Sequence, residues 1–362
     1  MNASAITVKE RQSNMELLRI VAMFIVLVFH TVFYTLYDYR VESPIFASLK
    51  TILHIGVPIF ILISGYFGIK PSLKGALKLY LMLLFYNFLF YGFRVVYGDV
   101  HFSVVEFAKL WCPFSRGNQW WFFKVYFMLY LASPIVNYVR DKTVWGWGGG
   151  GKLLIISCFI SFYWGWFVHH PSLWDGKNLI NFIFLYMLGY WLRETFECKD
   201  RKKVRKGSII SFLLIGGLVG VSMFFSNEKM LHILERLCWG YNSPILIMMS
   251  VSFFMIFTTL DFRSKLVNWI AGSAFAVYCI HENYWFYRDK WYEFIESQYL
   301  CNNGLKFTII ILGSCCLLYL AAILLDKVRM FIVKPIMPFL DKVQDKAVHI
   351  CELKVIEKVL HL

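Results

Sequence analysis

The chain reads as an all-α, polytopic membrane bundle of about ten transmembrane helices, with both termini in the cytoplasm. Three observations lead there. Hydrophobic residues make up 59% of the 362 and charged residues only 17%, whereas a soluble chain is closer to half apolar and about a quarter charged. Apolar runs approaching the roughly 20 residues needed to cross a hydrocarbon core recur along the whole length. These runs are continuous rather than alternating, and an open sheet would leave backbone groups unsatisfied in lipid.

The first fourteen residues are polar and no small-residue cleavage site follows the first apolar run. That run is therefore expected to stay as a helix, not to leave as a signal peptide. It covers 17–37 and contains Arg19 and His30. The second, 51–69, ends in "ISGYFG". The third, 76–97, is entered from "KPSLKGALK". The fourth, 120–138, starts at a Trp pair. The fifth and sixth, 153–168 and 178–192, are the shortest. The seventh, 208–225, follows "CKDRKKVRK". The eighth covers 242–260. The ninth, 267–287, carries Tyr278, His281 and Glu282, and the tenth covers 306–325. This divides the chain into a cytoplasmic tail (1–14), a transmembrane domain (15–326) and a cytoplasmic tail (327–362). In that last tail Val343, Ala347, Ile350, Leu353 and Ile356 share a helical face suited to lying on the inner membrane surface.

Charge sets the orientation. With the N-terminus in the cytoplasm, the segments on that side hold most of the 37 Lys and Arg residues, as short cytoplasmic loops do. The net charge of +14 is then a topology signal and an attraction to anionic lipid. No basic face of a soluble domain is present to bind nucleic acid.

Nine cysteines are scattered, mostly within apolar runs. They form no CxxC pair or Cys/His cluster with zinc spacing, so they read as small core residues and no metal is expected. Gly146 to Lys152 fits GxxxxGK, but Leu153 replaces the magnesium-binding Ser/Thr and a span follows in place of a strand–loop–helix unit. A glycine linker is the plainer reading.

Arg19 and His30 are eleven positions apart. On a helix they differ by roughly 20° in azimuth and roughly 16 Å in height. Arg19 then sits at the inner boundary and His30 beyond the midplane, on one face. Glu16, three residues before Arg19, pairs with it. An ionisable residue inside a span is a functional candidate by default, and a neutral imidazole accepts a proton near pH 7. A bundle histidine bonded to a carbonyl is the structural alternative. Ser64 and Gly65 end the second span, and Lys70, Lys74 and Lys78 follow at the same boundary as Arg19. Together these cations suit a polyanion such as coenzyme A, whose arm would run along the first helix to His30. The lysines also serve topology alone.

"NMELLRIVAMFIVLVFH" resembles the opening helix of the acyltransferase 3 family of integral membrane acyltransferases, whose Arg-x10-His pattern falls on Arg19 and His30. "PIFILISGYF" resembles its Ser-Gly motif. "WWFFKVYFMLYLASPIV" resembles its Trp-Phe and Tyr-x3-Pro segment, on Trp121, Phe122, Tyr130 and Pro134. "YMLGYWL" and "GSAFAVYCIHENYW" resemble later motifs. The matches run in order from about residue 14 to 325. Where family members often carry arginines after Ser-Gly, this chain has lysines, which bind phosphate without the guanidinium fork. The resemblance implies a bacterial plasma-membrane enzyme. It would move an acyl group, usually acetyl, from cytoplasmic acyl-CoA to a hydroxyl of a surface polysaccharide or its lipid-linked precursor. Acyl-CoA is then a substrate, and no tightly bound cofactor is needed.

In that reading the catalytic candidates are His30, Arg19 and Glu16. Arg19, Ser64, Lys70, Lys74 and Lys78 would hold the donor. Trp121, Lys124, His281 and Glu282 would meet the acceptor. Lys124 suits an oxyanion or a snorkelling role. Asn87, Asn181, Asn242 and Asn268 suit helix-to-helix bonds. The outer segment with His169, His170, Trp174 and Asp175 suits a sugar or an interfacial aromatic belt. The rival function is a transporter or flippase of a polysaccharide precursor, with Arg19 and His30 as a relay. It calls for broken helices and two related halves.

Overall fold

The computed structural model describes residues 12–36, 44–115, 120–141, 149–196, 199–283 and 287–346. Among the described residues there are helices and no strand. Seven stretches are long and apolar enough to cross a membrane. They are α1 (Ser13–Thr35), the broken pair α2 (Pro44–Leu53) and α3 (Gly56–Phe67), α4 (Leu73–Val96), α6 (Trp121–Asp141), α7 (Gly149–Phe159) with its π-helical continuation Ile160–Phe167, α9 (Arg201–Phe224) and α15 (Gly304–Val333). The short α5 (Val104–Leu110) lies between α4 and α6.

The other three expected spans are helical too, but each falls short in a different way. α8 (Leu179–Phe196) carries Arg193 and Glu194 within its 18 residues. α11 (Pro244–Thr258) is apolar but only 15 residues long. The ninth is split at Gly272–Ser273 into α12 (Lys265–Ala271) and α13 (Ala274–His281). Between the spans lie α10 (Glu228–Cys238) and α14 (Tyr287–Cys301).

Helix starts follow local chemistry. Ser72, Ser243, Ser264 and Asn303 each accept a bond from a first-turn amide, which satisfies an otherwise orphaned donor. Pro244 follows its cap at the first helical position, where a missing N–H costs nothing.

α1 runs through the centre of the bundle, against α2, α3, α11, α12, α13, α14 and α15. Its neighbour α3 packs most closely on α8. A Cβ on Gly65 would collide with the Tyr186 backbone, and one on Gly189 with the Leu62 carbonyl. Small residues allow this backbone approach between helices, the common packing device where lipid removes the hydrophobic drive. The expected amide bridges exist at three sites. Asn181 Nδ2 donates to the carbonyls of Gly176 and Tyr241 (3.0 and 3.2 Å), Asn242 Nδ2 to those of Ser161 and Leu173 (3.1 and 3.0 Å), and Asn268 Oδ1 accepts from Ser13 (3.0 Å). Asn87 departs from this, since its buried Nδ2 has no hydrogen-bond partner among the described residues.

Two readings need correction. Cys112, Cys301 and Cys316 are exposed, not core: Cys112 lies in the loop after α5, and α14 and α15 turn Cys301 and Cys316 outward. The glycine linker also gives way to helix from Gly149 onward; residues 142–148 lie outside the described part. The tail helix reading concerns mostly residues outside it, with only Val343 inside.

Candidate active site

His30 is brought to the two polar residues that end α13. Its Nδ1 lies 2.9 Å from His281 Nε2 and 2.6 Å from Glu282 Oε1. His281 Nδ1 is 2.7 Å from the Val277 carbonyl. A carbonyl only accepts, so His281 Nδ1 carries the proton and its neutral Nε2 presents a lone pair. His30 Nδ1–H therefore donates to both His281 Nε2 and the Glu282 carboxylate. That leaves His30 Nε2 as a lone pair, and it makes no hydrogen bond among the described residues. This is the tautomer a general base needs.

The local folding explains the grouping. α13 is buried along nearly its whole length. His281 is one turn beyond Val277, so its ring reaches back to that carbonyl, and Glu282 occupies the helix C-cap. His30 and His281 are both buried. Tyr34, one turn further along α1 and more exposed, stacks on His30 with centroids 4.7 Å apart and planes at 11°.

One atom from each of His30, His281 and Glu282 lies within 4.8 Å of the others, a set that suits a metal ion by residue type. Ligands on a tetrahedral ion with bonds near 2.0–2.2 Å sit about 3.3 Å apart. Separations of 2.6 and 2.9 Å are those of direct hydrogen bonds, so the trio stands here as a hydrogen-bonded relay.

At the other end of the face, Arg19 Nη1 is 2.7 Å from Glu16 Oε1, with Glu16 buried and Arg19 one-third exposed. The guanidinium stands 6.0 Å from the Phe67 ring centroid and acts electrostatically on the Tyr126 hydroxyl. Ser64 donates its hydroxyl proton to the Phe60 carbonyl (2.9 Å), so the Tyr126 hydroxyl, 3.2 Å away, donates to Ser64. Ser64 thus ties α3 to α6. From there a run of rings leads back to the relay. Tyr126 stacks on Phe122 (5.8 Å), Phe122 meets Tyr278 edge-on (5.6 Å), and Tyr278 meets His281 (6.0 Å).

The three lysines lie at the α3–α4 turn and the start of α4. Lys74 forms an ion pair with Asp341, and its backbone amide donates to Gln344. Lys70 and Lys78 are exposed. Trp121 stacks on Tyr241 (5.2 Å) with Lys177 Nζ 5.2 Å from its centroid. Lys124 is half-buried on α6, one turn after Trp120.

Several neighbours escape a reading of the chain alone. His54 sits at the break between α2 and α3, buried against Phe29 (4.9 Å), Trp239 (4.8 Å) and Tyr241 (4.4 Å). A histidine interrupting "TILHIG" was the available signal. Tyr34 was available as the i+4 neighbour of His30.

A family model described as an acyltransferase domain, Acyl_transf_3, matches residues 12–326. No curated protein and no solved structure matches the chain.

Proposed function

Because the chain belongs to the acyltransferase 3 family of integral membrane acyltransferases, we propose that it moves an acyl group, acetyl in the simplest case, from cytoplasmic acyl-CoA to a hydroxyl of a cell-surface glycan or its lipid-linked precursor. The proposal includes ten spans, both termini in the cytoplasm and residence in a bacterial plasma membrane. The observation that carries the chemistry is the orientation of His30. Its Nδ1–H is held by Glu282 and His281 at 2.6 and 2.9 Å, and its Nε2 is left as the base.

The steps balance as follows. His30 Nε2 takes the acceptor hydroxyl proton while the oxygen attacks the thioester carbonyl. Glu282 steadies the imidazolium so formed. The tetrahedral intermediate collapses, the C–S bond breaks, and the imidazolium proton goes to the departing thiolate. An ester and free CoA result. The same lone pair serves as nucleophile if the acyl group first rests on His30. Broken helices occur here at His54 and at Gly272–Ser273, a feature of the transporter reading. The family match supports the transferase instead.

The test supplies membrane vesicles with labelled acetyl-CoA and a glycan-lipid extract. Label enters the glycan with the unaltered chain and is lost with His30→Ala. Equal labelling by both would end the role of His30, and glycan crossing the bilayer unacylated would favour the transporter.

A further inference from the structure

We propose that the nucleotide end of the donor docks in a cavity between α1, α8, α9 and α11, held by Lys199, Arg201 and Arg263, and not at the lysines of the α3–α4 turn. This rests on the acyl-CoA reading above. The cavity has a volume of about 400 Å³ and opens at the same end of the bundle as Arg19. Among the described residues its wall carries these three cations and one carboxylate, Asp261. Asp261 lies 3.3 Å from Arg201, with both side chains well exposed. Such an exposed pair is weak, so an incoming phosphate displaces Asp261 at little cost. Tyr66, Phe196 and Phe262 line the same space and offer apolar faces to a purine.

Side chains must hold the anion. The amides of Lys202 and Lys203 at the start of α9 already donate to the Asp200 carboxylate (2.9 and 3.4 Å), which removes the helix terminus as an anion site. The guanidinium fork suits a terminal phosphate better than lysine does. At the α3–α4 turn the cations of the sequence pattern are Lys70, Lys74 and Lys78, which lack that fork.

Side-chain packing leads from the cavity toward Arg19. Tyr66 lines it, and the Tyr66 ring touches Phe67 (5.4 Å), over which Arg19 stands. Arg193 Nη1 reaches the Tyr66 carbonyl at 3.4 Å. Asn14 lines it too, and the rise along α1 from Asn14 to His30 is about 24 Å, a distance for an extended phosphopantetheine arm. A polyanion here has its arm pointed past Arg19 toward the relay.

Anionic lipid headgroups offer the same phosphate chemistry, so the test separates the two sources. The full chain is placed in nanodiscs of neutral phosphatidylcholine. Acetyl-CoA binding is measured by equilibrium dialysis for the unaltered chain and for Lys199→Gln/Arg263→Gln, with thermal unfolding to check that the variant folds. The expected result is a roughly tenfold or greater loss of affinity. Independently of any variant, amine-reactive labelling of Lys199 is followed by mass spectrometry with and without adenosine 3′,5′-bisphosphate. At least about threefold protection is expected at saturating nucleotide. Unchanged affinity in the variant, or no protection, overturns the pocket while acetyl-CoA binding by the unaltered chain leaves the functional reading standing. Failure of the unaltered chain to bind acetyl-CoA sinks both. If phosphatidylglycerol in the nanodisc protects Lys199 and the nucleotide adds nothing, the cavity is a headgroup site and the proposal falls.

Discussion

His30 Nδ1 lies 2.6 Å from Glu282 Oε1, a contact that joins the central helix α1 to the end of α13. It fixes which imidazole nitrogen carries the proton. Replacing Glu282 with Gln keeps the shape but removes the negative charge. The His281 Nε2 lone pair still holds the proton on His30 Nδ1, and the imidazolium formed on proton transfer loses its counter-ion. The expected outcome for Glu282→Gln is a loss of at least about a hundredfold in turnover, with the KM for acyl-CoA little changed. Initial rates with labelled acetyl-CoA check this. Retention of turnover would mean that Glu282 only packs.

The adjacent residues of the Ser-Gly motif have different duties. Gly65 is where the α3 backbone meets that of Tyr186 on α8, whereas Ser64 makes a bond to Tyr126. Gly65→Ala forces the two helices apart and is expected to cost about 1–3 kcal/mol or more. Ser64→Ala costs about 1 kcal/mol or less and leaves the helix crossing intact. Thermal unfolding in mild detergent ranks the two. A more damaging Ser64→Ala would assign the motif to polar chemistry.

Local geometry explains which of these features the chain discloses. The Glu16–Arg19 pair is three residues apart on one helix, so spacing alone predicts it, and the helical character of each apolar run follows from its length. The contact of His30 with His281 and Glu282 depends on how α13 is seated against α1. Periodicity within a run carries no information about which runs are neighbours, and both residues read only as polar groups at a plausible depth. His54 is hidden for the same reason, since its partners Trp239 and Tyr241 come from a distant segment. Lys74 is a related case. Its spacing from Lys78 is visible in the chain, whereas its ion-pair partner Asp341 comes from far along it.

Asp326, fully buried at the end of the tenth expected span, accepts bonds from Tyr86 (2.9 Å) and Arg329 (2.6 Å). Removing one partner of a buried pair strands the other charge. Asp326→Ala is expected to destabilise the chain by about 3–5 kcal/mol. Replacing both ions, as Asp326→Leu with Arg329→Met, removes the stranded charge and should recover most of that loss. Chemical unfolding of the two variants beside the unaltered chain checks the ordering. A double variant no better than Asp326→Ala would show that the pair itself is needed.

Lys74 offers a test of the boundary lysines. Its ammonium pairs with Asp341, which is about half exposed. Such a pair is worth at most about 1 kcal/mol. Lys74→Ala is therefore expected to change stability by no more than that, and to leave the KM for acyl-CoA within about twofold. A large rise in KM would return the donor phosphates to the α3–α4 turn.

Arg19 separates binding from chemistry most directly. It shares a face of α1 with His30 but bonds to Glu16 and stands over Phe67, at the end of the ring column away from the relay. A group in that place meets the donor before and after reaction alike. Uniform binding of this kind acts on KM and not on turnover. Arg19→Gln is expected to raise the KM for acyl-CoA by roughly tenfold to a hundredfold, as for loss of a charge-assisted bond, while turnover at saturation falls only a fewfold. Glu16→Gln should do less, because it leaves the guanidinium in place. Steady-state kinetics on the two variants beside Glu282→Gln give the contrast. If Arg19→Gln lowers turnover as deeply as Glu282→Gln does at saturating donor, Arg19 acts in the transition state and its placement at the donor entrance is wrong.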